Sequence, residues 1–273
     1  MPEGSPYTAN ETYSSALSAL QMGYRAIDTA WNYRNQPAIA RAIADSGVKR
    51  DTIFITSKLP GSLNYTATLA TADTNLRELS STYIDLMLVH FPCPSHPFNS
   101  SGGSKTLRQA QWRAMEELVR TKRARAIGVS HHCQRHMEDI LEIATVPIAA
   151  NQVEYHVGMA GGADAQEWMQ ARGITLLSYL PLCGQCDDRT ALIDGPLVSG
   201  IGRAHNKTGV QVSLRWLVQS GVPAIPRSRN ANHQRENMEL FGNFSLTAAE
   251  MIQLNAARMP PAADGPASDC QIP

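Results

Sequence analysis

Short apolar runs that each end in a polar side chain recur along this chain and constrain its fold more than any other feature. The runs at residues 53–57 and 85–89, for example, are followed directly by Lys58 and His90. Short runs rich in β-branched residues are typical of buried parallel strands. Segments with helical periodicity lie between these runs, so the sequence predicts an α/β fold built on a parallel sheet.

The pattern resolves into seven strands and nine helices. The predicted strands are residues 24–29, 52–57, 84–90, 125–129, 148–153, 174–179 and 222–226. The predicted helices are residues 9–22, 35–46 (capped by Asn35), 66–80, 106–120, 134–144, 163–172, 209–219, 232–241 and 247–258. Long loops are predicted at residues 92–105 and 182–196, where lids or binding loops are common.

This order of elements is typical of a (β/α)8 barrel of the TIM type, which needs eight strands. Residues 1–8 contain no apolar run that could supply the eighth. We therefore expect one domain over residues 1–273, with a barrel that is incomplete or distorted at the first strand. Residues 1–8 and the proline-rich tail at 259–273 are expected to be irregular.

Four polar side chains lie at or just after the ends of predicted strands, namely Asp28, Tyr33, Lys58 and His90. In a β/α barrel such positions meet at one face, where active sites form. Tyrosine is a poor acid at neutral pH, but an adjacent ammonium favours its phenolate, and a carboxylate would hold that ammonium charged and oriented. With a histidine to bond the substrate oxygen, the group suits reduction of a carbonyl by hydride, which requires a nicotinamide cofactor.

Each of the four residues also has a purely structural interpretation. Asp28 could cap the following segment, and Lys58 could lie on the surface. Tyr33 could be half-buried in the core, and His90 could be a hydrogen-bonded histidine at a strand end. Taken singly, each structural interpretation is favoured; taken together and in register, the four residues favour catalysis.

The same residues carry a family resemblance, because the chain resembles an aldo-keto reductase from about residue 11 to residue 244. Residues 23–33 resemble the first signature of that family, and residues 88–92 resemble its histidine segment. Three further matches, in the order of the family, are residues 127–130, 151–154 and 225–228. The resemblance implies carbonyl reduction with Asp28, Tyr33, Lys58 and His90 as the catalytic residues, and substrate contacts from Trp31 and Phe91.

The resemblance also implies a cofactor groove. It assigns the nicotinamide carboxamide to Ser130 and Gln152, with His131 where the family usually has asparagine. Tyr179 would stack on the ring beside Leu182, since offset stacking suits a planar ring. The family often has a lysine where this chain has Arg227 and an arginine where it has His233. The implied dinucleotide site comprises Arg227, Ser228, His233, Glu236 and Asn237.

Arginine pairs bidentately with phosphate, so a 2′-phosphate at Arg227 and Ser228 favours NADP over NAD. Arg229 could replace the charge that His233 lacks, although a solvated basic loop would show the same residues. The Gly-rich fingerprint of Rossmann domains does not occur in the sequence. We predict no bound metal, because no metal-binding motif occurs either and the neighbouring His131, His132 and His136 are read as coincidence.

The amino-acid composition argues against some classes of binding partner. Lys plus Arg and Asp plus Glu both number 24, so the formal net charge is zero, which argues against binding nucleic acid or a membrane surface. The start of the sequence does not resemble a signal peptide, and no run approaches a membrane span. We expect a cytoplasmic monomer or weak homo-oligomer with a small-molecule carbonyl substrate.

Five cysteines are present, Cys93, Cys133, Cys183, Cys186 and Cys270. Their odd number in a long chain predicts no disulfide framework. Cys183 and Cys186 form a CxxC, which we interpret as a loop coincidence rather than as a redox or zinc motif.

Two other functions stay open beside NADPH-dependent reduction. Without the usual first strand, cofactor binding could be weak, and the same four residues could then perform non-redox acid–base chemistry such as isomerisation, dehydration or cyclisation. The barrel could also serve as a non-catalytic binding subunit, since a fold does not determine a function. Titration with NADPH distinguishes these possibilities.

Overall fold

The structure, a computed structural model, describes residues 7–93, 103–159, 163–183, 190–242 and 244–258. The strands are β1 (Ala26–Asp28), β2 (Phe54–Leu59), β3 (Ile84–Val89), β4 (Ala124–Ser130), β5 (Ala150–Glu154), β6 (Thr175–Tyr179) and β7 (Ala224–Ile225). They form one sheet in sequence order, and β1·β2, β2·β3, β3·β4 and β6·β7 are parallel pairs. Parallel neighbours joined by helices are the repeating unit of a TIM-type fold.

The helices are α1 (Ala9–Gln21), α2 (Gln36–Ser46), α3 (Tyr65–Glu78), α4 (Lys105–Arg120), α5 (Gln134–Leu141), α6 (Ala163–Gln170), α7 (Pro196–His205), α8 (Gly209–Gln219), α9 (Ala231–Met238) and α10 (Ala248–Ala256). Three of them begin with a capping box, in which a threonine bonds the third backbone N–H and a Glu or Gln bonds back. The threonines are Thr8, Thr208 and Thr247. None of the described helices is long and apolar enough to cross a membrane.

The chain divides into two compact units. Unit 1 holds the described residues up to Asn151 together with Arg229–Ala231, and unit 2 holds the other described residues from Gln152 onward. The core of unit 1 is the inner part of the sheet under α4, where Trp112, Met115 and Leu118 are fully buried. The core of unit 2 lies around α8, which buries Trp216 and Leu217. The prediction of a single domain stays a prediction.

The outermost strands are the shortest parts of the sheet. β1 has three residues and pairs with β2, and β7 has two residues and pairs with β6. No other strand in the described residues pairs with either of them. Ala26 is exposed and Ile27 is only half-buried, as expected where one flank of a strand has no neighbour. The predicted incompleteness at the first strand is therefore confirmed, as seven strands are described where a complete barrel has eight.

Most predicted elements are confirmed to within a few residues, which is the normal scatter of element ends. Helix α7 is not predicted by the sequence pattern, which indicates no element between residues 196 and 209. Asn35 precedes α2 as predicted, but its side chain forms no capping bond; it accepts a hydrogen bond from the Thr29 hydroxyl at 2.7 Å. Of the predicted irregular start, Tyr7 and Thr8 lie outside the sheet and Thr8 caps α1. Residues 94–102 of the first predicted loop, residues 184–189 of the second and the tail at 259–273 lie outside the described residues.

Candidate active site

An ion pair between Lys58 and Asp28 forms the centre of the candidate site in unit 1. Lys58 lies in β2 with a fully buried side chain, and its Nζ donates to Asp28 Oδ1 at 2.5 Å and to the Thr29 carbonyl at 3.0 Å. The pairing of β1 with β2 brings the two residues together, because Asp28 is in register with Thr56, two positions before Lys58. A buried ammonium needs such partners, since an unpaired charge in the interior is very costly.

Tyr33 reaches this ion pair from a short 3₁₀ helix, Trp31–Tyr33, that follows β1. Its ring centroid is 5.0 Å from Lys58 Nζ and 5.7 Å from the ring of His90, which it meets edge-on. The helix ends at Arg34, which is in the left-handed conformation with its guanidinium 3.8 Å from the Trp31 ring centroid. The four predicted catalytic residues therefore come together in one unit.

His90 belongs to a stack of three rings. Its ring lies 4.3 Å from that of Phe91 at an interplanar angle of 18°, and Phe91 lies 4.5 Å from His131 at 5°. The strands place these rings, because His90 and Phe91 follow β3 and His131 follows the neighbouring β4. His131 has a φ of 59°, an uncommon value for a residue with a side chain.

The charges of the site are set by burial and by the ion pair. Burial lowers the pKa of Lys58, but the charge of Asp28 and contact with Tyr33 together raise it above its ordinary value, so the ammonium stays protonated. Burial and the charge of Lys58 hold the pKa of His90 well below its usual range. The same two causes lower the pKa of His131 to about 3. At neutral pH the site thus contains one cation and two neutral imidazoles.

A buried polar network supports the Lys58 strand, and sequence reasoning missed it. Gln36 of α2 accepts from the Ser57 hydroxyl at 2.8 Å and donates to Asn75 of α3 at 2.9 Å. Asn75 in turn donates to Ser57 and, at 3.3 Å, to the carbonyl of Lys58. Since buried amides are costly unless they are bonded, this network holds β2 in one position beside both helices.

A glycine allows the segments after β2 and β3 to approach each other. A Cβ on Gly61 would lie 2.1 Å from the carbonyl oxygen of Phe91 and 2.5 Å from that of Cys93. No side chain can be accommodated at such distances without moving the backbone. Gly61 therefore helps to determine where Phe91, a predicted substrate contact, lies.

The predicted nicotinamide-binding residues all lie at or just after strands. In unit 1, Ser130 ends β4 and is fully buried. In unit 2, Gln152 lies in β5 and is buried, whereas Tyr179 ends β6 with a half-buried ring and Leu182 follows it. The cofactor-binding roles of these residues stay predictions.

The predicted dinucleotide residues of unit 2 lie between β7 and α9 and on α9. Arg227 and His233 are exposed, and the side-chain amide of Gln234 donates to the Ser228 carbonyl at 3.0 Å, which ties the loop to the helix. Asn237 is buried, and its Oδ1 has no hydrogen-bond partner in the described part of the chain. A buried acceptor of this kind fits a ligand that brings a donor, such as an adenine amino group.

Arg229 has partners of its own in unit 1. It forms an ion pair with Glu11 of α1, and its guanidinium lies 5.0 Å from the centre of the Tyr7 ring. Its charge is thus already matched by a carboxylate. The structure gives no support to the idea that Arg229 replaces the charge absent at His233.

The prediction about cysteines needs a correction. Cys93 and Cys183 each take part in a disulfide bond, and Cys133 is free and exposed. Both bonded cysteines are buried, whereas the odd number of cysteines in the sequence predicts no disulfide framework. Cys186, the second cysteine of the CxxC, lies outside the described residues.

Comparison with known proteins identifies the family. The model of the aldo/keto reductase family matches residues 2–258. The glyoxal reductase of Bacillus subtilis (strain 168) is 35% identical over 249 residues, which are 90% of this chain and 83% of that protein. Morphine 6-dehydrogenase of Pseudomonas putida is 33% identical over 257 residues, covering 91% and 83% of the two chains.

Solved structures agree with the sequence relatives. An aldo-keto reductase from a Medee basin deep-sea metagenome library matches with a TM-score of 0.85 at 30% identity, over 94% of this chain and 92% of the other. An aldo/keto reductase from Brucella melitensis matches with a TM-score of 0.81 at 31% identity, over 91% and 90%. The chain belongs to the aldo/keto reductase family, and the predicted family and TIM-type fold class are confirmed. It is an oxidoreductase of that family.

Proposed function

We propose that the protein reduces an aldehyde or ketone to an alcohol with NADPH, and that Tyr33 donates the proton. The observation that carries this proposal is the fully buried Lys58, bonded to Asp28 and adjacent to Tyr33 and His90. A protein places a charged lysine in its interior only where surrounding groups compensate for its burial, and such sites are frequently functional.

Tyr33 would give its proton to the carbonyl oxygen while that oxygen gains negative charge. The phenolate left behind is stabilised by the ammonium of Lys58. Asp28 keeps Lys58 protonated and oriented through the 2.5 Å bond. General acid catalysis of this kind typically contributes about 10²–10⁴-fold to a rate.

His90 would bond the carbonyl oxygen as a neutral imidazole. A neutral ring can donate through one nitrogen only, so its tautomer decides which atom faces the substrate. The ring of Phe91, packed 4.3 Å from that of His90, restricts rotation of the imidazole. Phe91 and Trp31 are also the proposed walls for the substrate.

The residues present fit a nicotinamide dinucleotide. Ser130, His131 and Gln152 would hold the carboxamide, and Tyr179 and Leu182 would lie against the ring. Glu236 and Asn237 would hold the adenine, which agrees with the buried acceptor of Asn237 that has no partner in the described residues. The bound cofactor supplies the hydride, which no side chain can provide.

Arg227, Ser228 and His233 support NADP rather than NAD. An exposed arginine next to a serine can bind a 2′-phosphate through two parallel N–H bonds together with a hydroxyl. A cytoplasmic location and a monomeric or weakly homo-oligomeric state stay predictions.

The proton donor is tested with Tyr33→Phe, which removes the hydroxyl and keeps the ring. We expect kcat with a small aldehyde such as glyoxal to fall by at least about 100-fold. The Kd for NADPH, measured by fluorescence titration, should stay the same. Tyr65→Phe, at a residue that is 43% exposed, is the matched control and should keep full activity. Near-normal turnover by Tyr33→Phe would exclude the role.

One observation favours the non-redox alternative: in the part of the chain that the structure describes, no strand pairs with the outer flank of β1 beside Asp28. In the family, the missing first strand is accompanied by a turn that helps to bind the cofactor, so binding could be weak here. NADPH that binds the native state should stabilise it by about 2.7 kcal/mol at a hundredfold excess over Kd. No thermal shift at millimolar NADPH would favour isomerisation, dehydration or cyclisation at the same four residues.

A further inference from the structure

Three potential metal ligands that carbonyl reduction does not use meet in unit 2. They are Glu154, His156 and Cys183, which are 8%, 0% and 1% exposed. The ligand atoms of the three side chains all lie within 4.8 Å of one another. A carboxylate, an imidazole and a sulfur are the three types of ligand that proteins use for zinc.

The backbone explains why the three side chains meet. Glu154 ends β5 and His156 follows two positions later, so in extended chain their side chains lie on the same side. Cys183 comes from the loop after the adjacent β6, in a turn where Leu180 and Cys183 both have φ values of 47°. The turn is closed by a bond from the Cys183 N–H to the Leu180 carbonyl at 2.9 Å.

A neighbouring backbone carbonyl indicates which ring nitrogen of His156 carries a hydrogen. Its Nδ1 lies 2.8 Å from the Val157 carbonyl oxygen, which can only accept, so Nδ1 carries a hydrogen and donates it. In the neutral ring, Nε2 then has a lone pair. Nε2 lies 3.4 Å from Glu154 Oε1, so the imidazole and the carboxylate can contact one cation together.

An imidazole with Nδ1 bonded to a backbone carbonyl is also how proteins orient a histidine that binds metal through Nε2. The third ligand is close, since Cys183 Sγ lies 4.0 Å from the same carboxylate oxygen. That sulfur is part of a disulfide, and a disulfide sulfur is not the thiolate that binds a metal. The site is therefore complete only in the reduced protein.

We propose that reduction of the Cys183 disulfide creates a binding site for a thiophilic divalent cation such as Zn²⁺. The ligands are a carboxylate oxygen of Glu154, Nε2 of His156 and Sγ of Cys183. A dithiol reductant supplies two electrons and two protons, the S–S bond breaks to give two thiols, and the reductant becomes a disulfide. Binding of the cation then displaces the Cys183 thiol proton into solvent. Cation and disulfide exclude each other, independently of the proposed reductase activity.

The test uses the full chain in two states, oxidised and reduced with a dithiol that is then removed by gel filtration without oxygen. Both states are titrated with Co²⁺, which can take the place of Zn²⁺ and shows a thiolate-to-cobalt charge-transfer absorption band when a thiolate binds it. We expect one equivalent of Co²⁺ to give a thiolate charge-transfer band in the reduced protein and none in the oxidised protein. Cys183→Ser should lose that band, and Cys133→Ser, which changes the exposed free cysteine, should keep it.

A second measurement avoids variants, because His156 is fully buried and His156→Gln could fail to fold. The reduced protein is alkylated with iodoacetamide with and without one equivalent of Zn²⁺, and each cysteine is followed by peptide mass spectrometry. Zn²⁺ should slow alkylation of Cys183 by at least about tenfold, because the bound thiolate is no longer a free nucleophile. Cys133 should react at the same rate in both samples. Equal alkylation of Cys183 with and without Zn²⁺, or a charge-transfer band that persists in Cys183→Ser, would overturn the proposal.

Discussion

Strands β3 and β1 both lead to a residue of the candidate active site, but they are built differently. All six residues of β3 are buried, and the strand pairs with β2 on one side and β4 on the other. β1 has three residues, none of them buried, and among the strands of the described residues it pairs with β2 alone. His90 is thus placed by packing around its strand, whereas Asp28 depends on its bond to Lys58, which lies on the inner strand β2. A strand at the edge can contribute to a precise site when a polar contact anchors it to the interior.

Two aspartates provide the sharpest test of this difference. Asp28 lies at the carboxyl end of β1, while Asp85, near the start of β3, bonds Arg50, Arg125 and the backbone N–H of Ile55, each at 2.9 Å. In β/α barrels the carboxyl ends of strands serve chemistry and the opposite ends serve stability. We expect Asp28→Asn to lower kcat by about 100-fold, since Lys58 loses its carboxylate.

Asp85→Asn should have the reverse effect. It should keep most of the turnover at 25 °C but lose about 1.5–3 kcal/mol of unfolding free energy, the usual cost of losing hydrogen bonds to a charged group. Steady-state kinetics and urea unfolding of both variants measure the two effects. If Asp28→Asn lost stability and kept its activity, the functional assignment of the ion pair would be wrong.

Core truncation compares the two strands directly. Leu88 of β3 is fully buried, so Leu88→Ala should cost about 2–5 kcal/mol of unfolding free energy. Ile27 of β1 is half-buried and keeps part of its surface in water, so Ile27→Ala should cost only about 1 kcal/mol. Ile252→Ala, at a residue that is 68% exposed, is the surface control and should change stability by less than about 0.5 kcal/mol. Equal losses for Leu88 and Ile27 in urea unfolding would show that β1 is supported as well as β3.

The fold around β1 and around β3 was largely predictable from the sequence. Apolar runs indicate buried strands, and helical periodicity indicates helices with one exposed face. The strand ends that carry Lys58 and His90 were located in this way. Helix α7 was missed, since Gly200 and Gly202 lower helix propensity. Gly202 is needed there, as a Cβ on it would lie 2.4 Å from the Lys207 carbonyl oxygen.

The contacts that hold the site residues in place were less predictable from the sequence. The bonds of Gln36 and Asn75 to Ser57 join residues that are 21 and 18 positions apart, and isolated polar residues in helices give no periodic signal. Nothing in the sequence indicated that His131 would stack on Phe91, or that Cys93 and Cys183 would each take part in a disulfide bond. Such contacts depend on tertiary distances that spacing along the chain does not contain.

The ring stack above β3 and β4 should make stability depend on pH. The pKa of His131 falls to about 3 in the folded protein, below the ordinary value of 6.5, so the unfolded chain binds a proton that the native state does not. The free energy of unfolding is therefore unaffected by titration of His131 above about pH 6.5. It decreases as the pH falls toward 3, by at most about 1.4 kcal/mol per pH unit. His131→Asn should reduce the slope of unfolding free energy against pH between 6.5 and 4. The exposed His233→Asn is the control and should reduce it less, and equal slopes would contradict the burial of His131 as the cause.

The smallest effect is expected from covering the outer flank of β1. A strand edge without a partner leaves backbone N–H and C=O groups to water and invites association with other chains. We expect an N-terminal extension with the alternation of a family-like first strand to raise Tm by a few degrees, since about 1 kcal/mol shifts Tm by roughly 2–4 °C in a domain of 150–250 residues. The extension should also tighten NADPH binding, because Asp28 lies at the end of β1, the strand that it would cover.

A scrambled extension of the same length and composition separates pairing from the general effects of a longer chain. It should change neither the melting temperature nor the Kd for NADPH. If the patterned and scrambled extensions behave alike, the three residues of β1 do not need a second neighbour. The Lys58–Asp28 ion pair would then be sufficient to hold Asp28 in place. Unlike β3, β1 would need no strand on its second side.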